Sequence, residues 1–207
     1  YIGSTHWIAV GDGATILRSS NGGLNWNSQN IQEPYSLFGV SFNDINNGLA
    51  VGYNYPDSSS KIVKTTNGGL TWTAKPNNSK RTLYAVAGQN NNNAITVGEI
   101  GAMLSTTNQG DTWLSKPNVT ANSLLGVSFT NSNIGMAVGY QGTIVTTTNK
   151  GAIWNNNSIS TEYAICAVDL LNENVGTIVG DAGIIYKTTN YGATWQLQPS
   201  GTANRLL

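Results

Sequence analysis

The chain has 207 residues, and its ten basic and ten acidic side chains cancel to a formal net charge of zero. Neutrality removes the electrostatic case for nucleic acid or an anionic membrane surface, and no run approaches the roughly eighteen apolar residues of a membrane span. Charged residues make up 10% of the chain, against about 25% in ordinary soluble domains. Asn, Thr, Ser and Gly replace them, a composition expected of a secreted surface, extracellular or periplasmic.

Cys166 is the sole cysteine, so no internal disulfide forms and stability must come from burial. The chain opens on Tyr1 rather than Met, as expected of a processed product or an excised piece of a longer protein. Asn77, Asn118 and Asn156 head Asn-x-Ser/Thr triplets, which chance supplies in so Asn-rich a chain.

The first element is a strand over HWIAVG (6–11). An eight-residue phrase closing on Trp follows, SSNGGLNW (19–26). This box returns as TTNGGLTW (65–72), TTNQGDTW (106–113), TTNKGAIW (147–154) and TTNYGATW (188–195). Trp26, Trp72, Trp113, Trp154 and Trp195 therefore step by 46, 41, 41 and 41 residues. A fixed period near forty residues means stacked copies of one supersecondary unit. Five such periods occupy the chain, which predicts one domain over 1–207. The longer first step comes from a five-residue insertion around NYPDSSS (54–60).

The cleanest copy spans 122–160. SLLGVSF (123–129) reads as a buried strand, NSNIG (131–135) as a turn, and MAVG (136–139) as a second strand. YQG (140–142) turns again, TIVTTT (143–148) is β-branched and extended, and Ile153-Trp154 opens a fourth strand. No window carries a 3.6-residue apolar period. Four short antiparallel strands per forty residues mark a propeller blade. The predicted fold is all-β: a five-bladed β-propeller of four-stranded antiparallel blades over 1–30 plus 203–207, 35–77, 81–118, 122–158 and 163–199. Leu206 aligns with Leu37, Leu83, Leu124 and Ile165. Residues 204–207 are thus expected to supply the innermost strand of the first blade, closing the ring and removing an open sheet edge.

The phrase Thr65-x-Asn67-x-Gly69-x-Thr71-Trp72 resembles the Asp box of sialidases, with Asn in place of Asp in all five copies, at Asn21, Asn67, Asn108, Asn149 and Asn190. Asn can hydrogen-bond backbone groups across the turn, Gly supplies a positive-φ position, and the Trp is expected to bury its ring between sheets. At ~150–250 Å² each, that burial contributes roughly 4–6 kcal/mol per Trp before entropy is subtracted. The resemblance implies that the box is structural and lies away from a catalytic face. The longer pattern, GYQGTIVTTTNKGAIW (139–154) and GDAGIIYKTTNYGATW (180–195), is similar to the propellers of photosystem II assembly and stability factors and to repeats of secreted bacterial proteins. It implies a binding scaffold.

In a four-stranded blade the loop between strands two and three shares a face with the interblade linkers, and the box lies opposite. One ring of candidates follows the repeated Gly: Asp12, Tyr53, Glu99, Tyr140 and Asp181. The linkers add Tyr35, Arg81 and Tyr163, and the insertion adds Tyr55. Five tyrosines on one face suit recognition, since Tyr offers a large flat contact with a polar tip. Ordinary loop variation would look the same.

His6 is the sole His and has no second ligand at metal spacing, so neither a metal nor another cofactor is expected. Cys166 aligns with Phe38, Tyr84, Leu125 and Leu207 and is expected to be a buried small hydrophobe. Trp7 aligns with Gly48, Ala94, Gly135 and Gly176; packing of the first blade is its expected role, with an exposed contact as the alternative. Arg18, Lys64 and Lys187 share a strand-three position that reads as a solvated face. The expected function is a non-catalytic interaction module that holds a protein partner or an assembly subunit. The alternative is a lectin that binds a glycan, though the candidate ring carries no motif constant across blades. A glycosidase ranks below both: the only arginines, Arg18, Arg81 and Arg205, are not expected to converge, and fold does not imply function.

Overall fold

The computed structural model describes residues 5–31, 35–131 and 133–207. Residues 1–4 of the expected first blade and Ser132 of the expected turn lie outside them. Five sheets follow one another along the chain. The first holds β1 (Trp7–Val10), β2 (Thr15–Ser19) and β3 (Asn27–Asn30). The second holds β4 (Tyr35–Phe42), β5 (Gly48–Asn54), β6 (Ser59–Thr65) and β7 (Thr73–Ala74). The third holds β8 (Leu83–Gly88), β9 (Ala94–Gly98), β10 (Met103–Thr106) and β11 (Leu114–Ser115). The fourth holds β12 (Leu124–Phe129), β13 (Gly135–Gly139), β14 (Ile144–Thr147) and β15 (Asn155–Asn156). The fifth holds β16 (Ile165–Leu170), β17 (Gly176–Gly180), β18 (Ile185–Thr188) and β19 (Gln196–Gln198). Each sheet meanders, with neighbours in sequence also neighbours in space. Among the described residues helix is confined to two single 3-10 turns, Glu99–Gly101 and Asp181–Gly183.

The chain forms two compact units. One comprises the residues up to Thr96 with Leu104–Lys116, and the other Val97–Met103 with Pro117–Leu207. In the first unit, Ile8, Ala14 and Ile16 of the first sheet share a core with Tyr35, Leu37, Ala50 and Val63 of the second. Leu49, Val51 and Ile62 on the other face of the second sheet pack with Leu83, Val86, Ala94, Leu104 and Trp113 of the third. In the second unit, Met136, Val138 and Ile144 pack with Ile165, Leu170 and Ile178. Each fully buried Leu or Ile here contributes roughly 1.5–3 kcal/mol by area. The middle strands are buried on both faces, which explains their small and β-branched sequences, GMAVG and IVTT.

Neighbouring sheets approach closely at one glycine. A Cβ on Gly39 would lie 2.9 Å from Tyr84 O of β8, and one on Gly126 would lie 3.2 Å from Ala167 Cα of β16. Next to this position the innermost strands β4, β12 and β16 bulge: the register slips between Leu37 and Gly39, Leu124 and Gly126, and Ile165 and Ala167. The residue skipped is Phe38, Leu125 or Cys166. Cys166 thus occupies a bulge, and it is buried as expected.

The insertion at 54–60 lengthens a hairpin instead of forming a loose loop, with Tyr53 paired to Ser60 and Asn54 to Ser59. The fourth strand of the cleanest repeat begins at Asn155, just after the expected Ile153-Trp154. Among the described residues the first sheet has three strands, and residues 204–207 lie outside any strand. The register itself is as expected: the Leu206 N–H donates to Gly180 O at 3.0 Å, as the Leu37 N–H donates to Gly11 O at 3.1 Å.

Candidate functional site

All five boxes fold alike. In the second, the Gly69 N–H donates to Thr65 Oγ1 at 3.0 Å and the Thr71 N–H donates to Asn67 Oδ1 at 3.0 Å. The Asn67 Nδ2 amide donates to Thr71 Oγ1 at 2.8 Å, a bond repeated at Asn108–Thr112 and Asn190–Thr194, both at 2.9 Å. This bond gives a physical role to Asn where the resembling motif has Asp: the carboxamide both accepts and donates across the turn. Two consecutive residues take left-handed backbone, for example Tyr191 (φ 55°) and Gly192 (φ 77°). Trp113 and Trp154 are buried, and Trp72 and Trp195 are half-buried. Trp26 departs from the expectation at 41% exposed. Trp72 and Trp113 pack on cores built with the preceding sheet of their unit.

The strand-three cations correct a second expectation. Lys64 is buried, and its Nζ donates to Asp111 Oδ1 of the next box at 3.1 Å; Lys75 Nζ reaches the same oxygen at 2.8 Å. The Lys75 and Lys64 hydrogen bonds hold the Asp111 carboxyl below its ordinary range. Arg18 Nε donates to Gly68 O at 2.8 Å, again in the next box. Of the three, only Lys187 is exposed. In the second unit the clasp is reversed. The Tyr191 hydroxyl, in the fifth box, lies 2.8 Å from Gly135 O and 2.5 Å from Thr147 O and accepts the Thr147 N–H at 3.1 Å. Burial raises its pKa above the ordinary phenol value.

The expected binding residues divide between the units. In the first, Asp12 is exposed, and Tyr53 and Tyr55 meet edge to face with centroids 5.2 Å apart. Tyr55 is 64% exposed. The nearby Asp57 accepts from Ser59 and Lys61, and its pKa falls to about 2, chiefly through Ser59. Arg81 is half-buried, and its N–H donates to Ser79 Oγ at 3.1 Å. Tyr35 does not belong to an exposed site. At 2% exposure it is part of the core of the first two sheets, because it begins β4 in register with Asn54 rather than ending a linker.

In the second unit, Tyr140 and Tyr163 are 45% and 49% exposed. Backbone hydrogen bonds lock the Tyr140 loop against the Tyr163 linker. The Tyr140 N–H donates to Ser123 O at 3.1 Å, the Gly142 N–H to Tyr163 O at 3.0 Å, and the Ile159 N–H to Gly142 O at 3.0 Å. Gln141 and Gly142 are left-handed, and any Cβ on Gly142 would overlap Ile159 O. The counterpart loop places Asp181 with its N–H on Ala164 O at 3.0 Å. Arg205, which sequence reasoning set aside, joins it: Nε lies 3.3 Å from Asp181 Oδ1 and 3.2 Å from Cys166 Sγ. The Cys166 contact, then the charge of Asp181 and the Tyr140 phenol, hold the guanidinium above its ordinary pKa. Cys166 is therefore a buried polar partner of Arg205, and its equivalent Phe38 is 39% exposed. Glu99 opens a turn whose next residue, Ile100, is left-handed at φ 52° and 45% exposed. A β-branched side chain is a genuine outlier there. Ser123 Oγ accepts the Ile100 N–H at 3.0 Å, and Asn118 Nδ2 donates to Ile100 O at 2.9 Å.

The family described as photosynthesis system II assembly factor YCF48 matches residues 116–200. No curated protein matches in sequence. Among solved structures, YCF48 bound to D1 peptide is 18% identical with a TM-score of 0.64, over 96% of this chain and 79% of that one. YCF48 from Cyanidioschyzon merolae is 18% identical with a TM-score of 0.64, over 97% of this chain and 83% of that one. The GH74 enzyme of Niastella koreensis is 16% identical with a TM-score of 0.77, over 96% of this chain but 36% of its own. Likeness at these identities establishes architecture. With its five meandering sheets and repeated boxes, the chain has the fold of a BNR-like β-propeller.

Proposed function

We propose that this chain is a non-catalytic, exported scaffold that holds a protein partner or a neighbouring subunit through its strand-two to strand-three loops. The observation that carries this reading is the pair of half-exposed tyrosines, Tyr140 on the loop between β13 and β14 and Tyr163 on the linker hydrogen-bonded to it, in the unit that also holds the Arg205–Asp181 pair. Rigid aromatic anchors beside a guanidinium are the usual composition of an interface hot spot. They bind at low entropic cost because the loop is already ordered. The structure of YCF48 bound to D1 peptide supports a propeller of this kind taking a protein segment. Low charge and an Asn- and Thr-rich surface support export.

The test is affinity capture from the exported fraction of the source cells, followed by titration of the captured partner. Tyr140→Ala and Tyr163→Ala should each weaken that partner by about thirtyfold, the effect of a hot spot worth about 2 kcal/mol. Unchanged affinity in both variants would sink the reading. Glycan binding lost on Tyr140→Ala would replace it with a lectin at this site. Hydrolysis of a β-glucan or aryl glycoside that disappears in Glu99→Gln would replace it with an enzyme.

A further inference from the structure

Ile100, Tyr140 and Tyr163 stand half-exposed in the second unit, and hydrogen bonds tie them into one row. Ser123 joins the first two: its Oγ accepts the Ile100 N–H at 3.0 Å, and its carbonyl accepts the Tyr140 N–H at 3.1 Å. The Gly142 N–H, donated to the Tyr163 carbonyl at 3.0 Å, joins the second to the third. We infer, on the proposal that these loops hold a protein, that the row takes a partner segment carrying an aliphatic or aromatic side chain flanked by Lys or Arg.

Ile100 supplies the aliphatic contact. The same turn position is Gly13, Gln141 or Ala182 in other sheets, all left-handed, at φ 62°, 55° and 56°. The turn therefore forms without a β-branched residue, the type least suited to this backbone. Ile100 is nevertheless held there, its N–H on Ser123 and its carbonyl accepting from Asn118 Nδ2 at 2.9 Å, with the side chain half in water. Strain kept at an exposed position is characteristic of ligand contacts. Ile100 and Tyr140 lie at hairpin tips with sheets before and after them in the chain, so their exposure is that of a loop and not of an uncovered sheet face.

The charges around the row select the flanking residues. The strand-two to strand-three loops and the linkers of the second unit carry three acids, Glu99, Glu162 and Asp181, against one base, Arg205. Arg205 is already engaged, its Nε 3.3 Å from Asp181 Oδ1. Glu99 immediately precedes Ile100 and Glu162 immediately precedes Tyr163, so an acidic residue stands beside each end of the row. A potential of that sign favours a cationic segment and repels an acidic one.

The experiment is selection of a displayed library of random linear peptides on the full chain, followed by titration of the most enriched synthetic peptide. That peptide should combine Leu, Ile or Phe with Lys or Arg and bind with about micromolar affinity. Asn tolerates left-handed backbone, so Ile100→Asn should keep the thermal stability and weaken the peptide at least about tenfold, or about 1.4 kcal/mol. Glu162→Lys should weaken it about threefold, by less as salt is raised. Failure to enrich any peptide, or enrichment of acidic or wholly polar ones, would overturn the inference. So would Ile100→Asn or Glu162→Lys binding as tightly as the parent. Loss of the peptide in Tyr140→Ala but not in Ile100→Asn would strike the partner chemistry alone. A peptide indifferent to Tyr140→Ala, Tyr163→Ala and Ile100→Asn would strike the protein-binding role of these loops with it.

Discussion

Within the box, one side chain decides how well the turn is tied. Asn67, Asn108 and Asn190 each close a second bond to a Thr hydroxyl, while Asn149 faces Ile153, which has none to offer and is 62% exposed. Ile153→Thr should restore the missing bond and raise stability by about 0.5–1.5 kcal/mol, the net worth of one hydrogen bond. A denaturant midpoint at unchanged slope would measure it. Ile100 is the opposite case: a β-branched residue held left-handed at φ 52°. Ile100→Gly should relieve about 1–2 kcal/mol of backbone strain. Strain of this kind persists at ligand clamps. If Ile100 contacts the partner, the same variant gains thermal stability and loses affinity. Gain of both would remove Ile100 from the interface.

Between elements, side chains from one sheet clasp the next. Tyr191 ties the fifth box to Gly135 and Thr147 of the fourth sheet. Tyr191→Phe keeps the ring but leaves the Thr147 N–H without that acceptor, so a loss of about 1–3 kcal/mol is expected. Hydrogen exchange at the Thr147 amide would report it locally. The Lys64–Asp111–Lys75 cluster does the same work in the first unit. Asp111 is bound as a carboxylate, so its folded pKa lies below the unfolded value of 3.8. Its contribution is therefore complete above that value and is lost as pH falls through the lower, folded pKa. Because Asp111 is half-exposed, screening limits that contribution to about 1 kcal/mol. Asp111→Asn should flatten this part of the acid-unfolding profile. An unchanged slope below pH 4 would show that the ion pair contributes nothing.

For the whole molecule, ten charges of each sign and a calculated isoelectric point near 6.8 leave little to keep copies apart. With a single histidine in the chain, few side chains change charge between about pH 5 and 8. Net charge therefore stays near zero across that window, and light scattering should find a broad minimum in repulsion there rather than a sharp one. A sharp minimum would point to groups with strongly displaced pKa values. The period of forty-one residues, the box geometry and the exposure of Tyr55, Tyr140 and Tyr163 were all legible in the sequence. These features are local: a turn with Asn and Gly at set offsets folds the same way in each copy, and alternation along a strand is set by the backbone. The burial of Tyr35 and Lys64, the exposure of Trp26 and the meeting of Arg205 with Cys166 and Asp181 were decided only by tertiary structure. Each depends on which sheet or segment lies alongside, across sequence gaps such as the 39 residues between Cys166 and Arg205. Repeat periodicity carries no information about such pairings, because burial and ion pairing are properties of the neighbour as much as of the residue.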